Sequence, residues 1–171
     1  MTHNQALGEA LTQLGYTPNQ GRDSYLTVEL EPDKLVPLIE KLRHNKVIYL
    51  DTLLCITGTD GGAESGVMHL HYHLKGMLTQ SYLHLHLALP RATPEVPTLC
   101  NQFAAANWLE RETYDLLGVH FINHPDLRRI LLPADWPGHP LRKGEAEVQA
   151  GQYAKQLATP AATQPVQAPG L

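Results

Sequence analysis

Cysteine is scarce in this 171-residue chain. The two present, Cys55 and Cys100, stand far apart, each inside an apolar run. No C-x-x-C pair exists, so the spacing of a zinc ribbon or a dithiol redox motif is missing. Both thiols read as buried and reduced, which suits a reducing compartment rather than a disulfide framework. No apolar run reaches the ~18 residues of a membrane span. The first residues lack the basic and apolar regions of a signal peptide, so the chain is expected in the cytosol or on the cytosolic side of something larger. There is no Gly-rich nucleotide loop and no internal repeat. A net charge of −4 and the absence of a basic helix argue against a nucleic-acid partner.

What is present is an ordinary globular mixture, 43% apolar and 18% charged, of a length that fits one domain plus a tail. Residues 4–14 carry Leu7, Ala10, Leu11 and Leu14 at helical spacing, and Gly15 stops them. Residues 24–30 alternate as a strand. A second helix follows on Leu35, Leu38, Ile39 and Leu42, with Asp33 as N-cap and Pro37 in or near its first turn. Val47–Leu50 reads as a strand, continued to Ile56 either extended or as a helical turn, and Gly58–Gly66 as a polar loop. Val67–Leu74 and Tyr82–Leu89 alternate sharply and form an antiparallel hairpin with one leucine face. Residues 98–117 read as a third helix. The order α-β-α-β-β-β-α predicts an α+β fold: a two-layer sandwich of a small, mostly antiparallel sheet with helices on one face. Residues 1–118 form this domain, 119–144 an extended partner-binding segment, and 145–171 a low-complexity Ala/Gln/Pro tail, mobile unless ordered along a partner.

Five of the ten histidines, His69, His71, His73, His84 and His86, share the hairpin face opposite the leucines. A register with His71 opposite His84 and His69 opposite His86 satisfies the pattern. His-x-His on a strand projects two imidazoles to one side, so His69, His71, His84 and His86 are candidate metal ligands, and a free-standing metalloenzyme is the alternative function. The plain alternative is a solvated or partner-covered face. No Asp or Glu lies within the two strands to complete a three-ligand set.

The stretch from Asn107 to Lys143 holds both tryptophans, Trp108 and Trp136. At 100° per residue, Ala105, Trp108, Leu109 and Leu116 define a core stripe with Glu112 in its middle. A carboxylate there needs a partner, and Arg128, Arg129 and Arg142 are the candidates. Beyond Gly118 four prolines exclude long helices. Val119, Phe121, Leu127, Ile130, Leu131, Leu132, Trp136 and Leu141 are too many apolar residues for a solvated linker. With arginines interleaved, the segment reads as a strap that embraces another subunit.

The residues of this stretch also carry a resemblance. Glu110-Arg111-Glu112, Asp115-Leu116-Leu117-Gly118, His124-Pro125, Leu127-Arg128-Arg129-Ile130-Leu131, Asp135-Trp136 and Gly138-His139-Pro140-Leu141-Arg142-Lys143 resemble the signature of the C subunit, or 30 kDa-type subunit, of respiratory complex I (the J subunit in cyanobacteria and plastids). The resemblance is dense over about 37 residues and looser over the preceding ~100. It implies a non-catalytic peripheral-arm subunit of a proton-translocating NADH:quinone oxidoreductase. That subunit supports electron transfer from NADH through iron–sulfur clusters to quinone. FMN and the clusters would lie on partner subunits, with no cofactor, quinone or metal held on this chain. The implied partners are the quinone-module subunit related to hydrogenase large subunits and other peripheral-arm subunits. Glu110, Arg111, Glu112, Asp115, His124, Arg128, Arg129, Trp136, His139, Arg142 and Lys143 would be its interface and structural residues. The implied location is peripheral, on the cytoplasmic side of the bacterial plasma membrane or its thylakoid or organellar equivalent, with the membrane reached only through the complex. The equivalent subunit of a membrane-bound hydrogenase complex shares the domain. Gly144 stands where the family continues with an acidic residue, Leu117 where Phe is common, and the histidine hairpin is outside the family pattern.

Overall fold

The computed structural model describes residues 3–21 and 25–158. In chain order the elements are α1 (His3–Gln13), β1 (Asn19–Gln20), β2 (Leu26–Glu29), α2 (Leu35–Arg43), β3 (Thr52–Asp60), β4 (Val67–Gly76), β5 (Ser81–Pro90), β6 (Glu95–Pro97), α3 (Ala106–Leu117), β7 (His120–Ile122) and α4 (Ala146–Ala158). Five strands make one sheet in the order β1-β2-β5-β4-β3, with β2 parallel to β5 and the other neighbours antiparallel. The fold is α+β, as the pattern of the sequence predicts.

Alternation builds the centre of the sheet. Met68, Leu70, Tyr72 and Leu74 on β4 and Leu83, Leu85, Leu87 and Leu89 on β5 are all fully buried on one face. Leu7 and Leu11 of α1 and Leu35, Leu38, Ile39 and Leu42 of α2 join them in one core. Each such side chain withdrawn from water is worth about 1.5–3 kcal/mol, so this layer carries most of the cohesion. Pro37 is the third residue of α2, where its missing N–H costs no intrahelical bond.

Several boundaries differ from the sequence expectation. Asp33 caps nothing: it lies in a 3₁₀ turn, Pro32–Lys34, and Lys34 occupies the N-cap without a side-chain bond. Val47–Leu50 is not a strand, because the Asn45 side chain accepts from the amides of Val47 and Ile48, at 2.9 and 3.2 Å, and closes a turn. β3 instead begins at Thr52 and runs through Gly58 to Asp60, and a bulge between Leu53 and Cys55 breaks the alternation that would mark it. α3 starts at Ala106 rather than at residue 98, since residues 95–97 are drawn into a parallel pair with β7. The tail contains α4: Ala and Gln are good helix formers, and Tyr153 stacks on Trp136 with ring centroids 4.7 Å apart. Residues 159–171, the rest of the expected mobile tail, lie outside the described residues.

Candidate functional site

α3 is amphipathic in an unusual sense, because its buried face is polar. Ala106 and Leu117 are buried, but so are Glu110, Arg111, Thr113 and Asp115. The stripe predicted from hydrophobicity is turned largely outward, although Leu109 packs against the core: Trp108 is 62% exposed, and Glu112 is exposed on the surface. The role expected of Glu112 belongs to Glu110 and Asp115. A helix whose inner face meets main-chain donors places carboxylates where a helix on a leucine sheet places leucines.

Asp115 is the hub. Its Oδ2 accepts from three successive backbone amides, Ile130 (2.9 Å), Leu131 (2.7 Å) and Leu132 (3.0 Å), and its Oδ1 from Arg129 Nη1 (2.8 Å). Burial alone would raise this carboxyl, but the amides and Arg129 outweigh it and hold it below its ordinary value. Arg129 then spans the segment by donating from Nη2 to the carbonyls of Trp136 (3.0 Å) and Gly138 (2.8 Å). A guanidinium suits this position because its donors fan out in one plane.

The strap also closes the end of α3. The last four carbonyls of a helix have no partner within it. Here Tyr114 O accepts from the Gly118 amide (2.8 Å), Asp115 O from His139 Nδ1 (3.0 Å), Leu116 O from the Leu141 amide (3.0 Å) and Leu117 O from Arg142 Nε (2.8 Å). Arg129 and Arg142 sit where the helix dipole favours cations. Gly118 takes φ 72°, and a Cβ there would lie 2.5 Å from the His139 ring, so both backbone and packing require glycine. Lys143 is held by its backbone: its amide donates to Asp60 Oδ2 (2.8 Å). Burial works to raise the Asp60 carboxyl, but Arg91 and the Gly62 and Lys143 amides lower it to about 2.

Glu110 is fully buried at the other end of the helix face. It accepts from the Leu99 amide (2.7 Å) and from Thr98 Oγ1 (2.5 Å), with Cys100 Sγ at 3.6 Å. Burial raises its carboxyl, only partly offset by those donors. Near it the Tyr72 hydroxyl is buried without a hydrogen-bond partner, pushed up by burial and by the Glu110 charge. Cys100, Glu110 and His124 place one potential ligand atom each within 4.8 Å of the others, the one such group of three among the described residues. His124 nevertheless uses both nitrogens. Nδ1 accepts from the Asp126 amide (3.0 Å), so the proton is on Nε2, which faces Asn107 O (3.2 Å). Freeing Nε2 for a metal would set an Nδ1–H against the Asp126 N–H, so the geometry is that of a structural network.

The remaining sequence candidates divide. Arg111 is buried, donates to Arg128 O (3.1 Å) and lies 4.9 Å from the Trp108 ring centroid. Arg128 points outward with its side chain 74% exposed. Val119 and Phe121 are buried, whereas Ile122, Leu131 and Leu141 are exposed. β7, which anchors the strap's first residues against β6, escaped the sequence reading because each strand has three residues. Residues 98–105, expected as the start of the third helix, instead form the turn beneath Glu110, closed by the Gln102 and Phe103 amides on Leu99 O.

On the opposite face of the sheet the five imidazoles form one column in the order His69–His86–His71–His84–His73, with neighbouring centroids 4.7–5.2 Å apart. Direct cross-strand partners are His71–His86 and His73–His84, two residues from the expected register. The expected pairs are instead the diagonal hydrogen-bonded ones: His69 Nδ1 to His86 Nε2 (2.9 Å) and His71 Nδ1 to His84 Nε2 (3.0 Å). Burial and then the neighbouring imidazoles push His71 down to about 4, and burial lowers His73 and His84 as well.

The chain is similar to known proteins in sequence and in fold. The profile of the family described as "Respiratory-chain NADH dehydrogenase, 30 Kd subunit" matches residues 28–149. The C subunit of an NADH-quinone oxidoreductase from Nocardioides sp. is 37% identical over 119 residues, which are 69% of this chain and 48% of that protein. Its counterpart from Salinispora tropica is 33% identical over 139 residues, 81% of this chain and 55% of that protein. The chain thus spans about half the length of these curated relatives. Among solved structures, a trypsin-resistant fragment of Nqo5 is 26% identical with a TM-score of 0.57, covering 73% of this chain and 99% of the fragment. A chain of an archaeal membrane-bound sulfane sulfur reductase shares the fold, with a TM-score of 0.69, 17% identity and 98% of each chain covered.

Proposed function

The chain belongs to the family of the 30 kDa subunit of respiratory-chain NADH dehydrogenase, and from that premise we propose that it is a non-catalytic peripheral-arm subunit of a proton-translocating NADH:quinone oxidoreductase. It supports the quinone-reducing module while FMN, iron–sulfur clusters and quinone reside on partner subunits. Its partner through the strap is the subunit related to hydrogenase large subunits, and it reaches the cytoplasmic face of the membrane only through the complex. No helix among the described residues is long and apolar enough to cross a membrane.

One observation carries the reading. The signature residues are spent on holding the strap's main chain to α3, which leaves Leu131, Leu141 and Arg128 facing outward. Exposed apolar groups beside an unburied guanidinium suit a protein interface. Native electrophoresis of solubilised membranes tests it: the chain should migrate with NADH dehydrogenase activity. Arg128→Ala should lower its incorporation without loosening the isolated chain. A chain that migrates alone, or an Arg128→Ala complex that assembles normally but loses turnover selectively, would overturn the proposal. A complex driven by another donor would instead place the chain in a related membrane-bound assembly.

A further inference from the structure

The histidine column is untouched by the role proposed for the strap, and its hydrogen bonding is unusual for a sheet surface. The Glu29 carboxylate of β2 is bonded to His86 Nδ1. A carboxylate only accepts, so His86 Nδ1 carries a proton, and in the neutral imidazole Nε2 is then a lone pair. That lone pair faces His69 Nδ1 at 2.9 Å, so His69 supplies the proton between them. One residue pair along the column a similar pair of rings recurs: the Thr27 hydroxyl of β2, able to donate or accept, lies 3.2 Å from His84 Nδ1, and His84 Nε2 faces His71 Nδ1 at 3.0 Å. Each pair is half-buried, its β5 imidazole fixed from behind by a β2 oxygen.

Paired imidazoles with a carboxylate behind one of them are also components from which a metal site is built. An oxygen acceptor behind a ligating imidazole fixes its tautomer and raises its basicity. Two nitrogens about 2.1 Å from one ion are about 3.0 Å apart when they meet at a right angle, the edge of a square-planar or octahedral ion. The two N···N distances, those of ordinary hydrogen bonds, equal that edge, and with ring centroids 5.1 and 5.2 Å apart the nitrogens now point at each other, so each ring must turn to aim its lone pair at the ion. Charge balance is simple at the first pair, because a neutral His69 need only move its proton from Nδ1 to Nε2 as the ion enters, and no net proton is released. His124 lacks this freedom, since an amide N–H occupies its Nδ1.

We propose that the β4–β5 histidine face binds a divalent transition-metal ion of the imidazole-preferring class, such as Cu²⁺ or Ni²⁺, at the His69/His86 and His71/His84 pairs, with water completing the coordination. Glu29 and Thr27 are positioning residues behind the β5 ligands.

The test uses the full chain without an affinity tag, titrated with Cu²⁺ and Ni²⁺ by calorimetry and, for Cu²⁺, electron paramagnetic resonance. The native chain should bind with a dissociation constant below ~1 mM and a spectrum with equatorial nitrogen ligands. His84→Ala/His86→Ala should weaken binding more than about tenfold, and Glu29→Gln by about tenfold through loss of imidazole orientation, with the fold checked by circular dichroism. Should the double variant misfold, His69→Asn on β4 makes the same test and should lose the first pair alone. No binding below ~1 mM overturns the proposal. So does binding that survives the histidine variants, or that is lost on Cys100→Ser, which would move the ion to the thiol, Glu110 and His124.

Discussion

α2 and the 119–143 strap are both fastened to the rest of the chain, and by opposite means. α2 lies on the sheet through Leu35, Leu38, Ile39 and Leu42, whose contacts are additive and without direction. The strap is fixed by the carboxylates of Asp115 and Asp60, the guanidiniums of Arg111, Arg129 and Arg142, the His139 imidazole and a set of main-chain amides and carbonyls, every bond with its own direction. Aliphatic packing uses up the apolar surface that it buries. Polar fastening does not, so Leu131 and Leu141 stay on the outside of an ordered segment. A chain that must present apolar groups to a partner gains from holding them by their backbone.

The largest effect expected from breaking this contrast is at Asp115. Asp115→Ala should cost about 3–5 kcal/mol, because it strands Arg129 and three amides together. Hydrogen exchange should rise first in residues 129–142, whereas Leu38→Ala, at about 2–5 kcal/mol, should shift the global denaturation midpoint without a local signature. Equal exchange profiles for the two variants would erase the distinction. Gly118→Ala should come next, at about 1–2 kcal/mol for the left-handed backbone alone and more if His139 cannot move.

Acid should separate the carboxylates by sign. Asp60 and Asp115 have folded-state values below their ordinary ones. The unfolded chain therefore binds protons first, and their contribution, present above about pH 4, is lost as pH falls toward 2. Glu110 is raised, so the folded chain holds its proton longer and stability declines as pH rises through its titration. Denaturation midpoints across pH 2–7 should accordingly show Asp115→Asn removing part of the acid loss and Glu110→Gln flattening the slope above about pH 4.5. The smallest effect is at Glu112. Exposed and outside the network, Glu112→Gln should change stability by less than about 0.5 kcal/mol in the same denaturation series.

The same contrast explains what could be read in advance. The hairpin and α2 were legible because a leucine face leaves a period of two or of 3.6 in the sequence. β3 was not, since its bulge and Gly58 erase the period where Leu117 of α3 must come close: a Cβ on Gly58 would meet the Leu117 side chain at 2.3 Å. The facing of α3 was misread for a deeper reason. Apolar periodicity presumes that the inner face is apolar, and here Glu110, Arg111, Thr113 and Asp115 are inside while Trp108 is out. The signature residues could be recognised by spacing, but their partners are largely main-chain atoms, which carry no residue identity and leave no mark in a sequence. α4 was missed because a biased composition looked like a lack of structure.

The strap leaves α3 at Gly118 and returns to the carbonyls of Leu116 and Leu117 through Leu141 and Arg142. It is therefore a lobe of about 25 residues that leaves and returns at one end of α3 and is pinned also by β6 and Asp60, and closing a loop of that length carries only a modest entropic penalty. Apart from the bonds of Lys143 to Asp60 and Arg91, which span 83 and 52 positions, its contacts are short in sequence separation compared with the β2–β5 pairing, which joins residues 57 positions apart. Such local closure is the fast part of folding. The part of the lobe that bonds α3 can form with that helix, ahead of the sheet's longest connection, whereas its bonds to β6 and Asp60 wait for those elements. A single cut in its outer bend, between Leu132 and Trp136, would leave one half tethered through Asp115 and the other through Arg142.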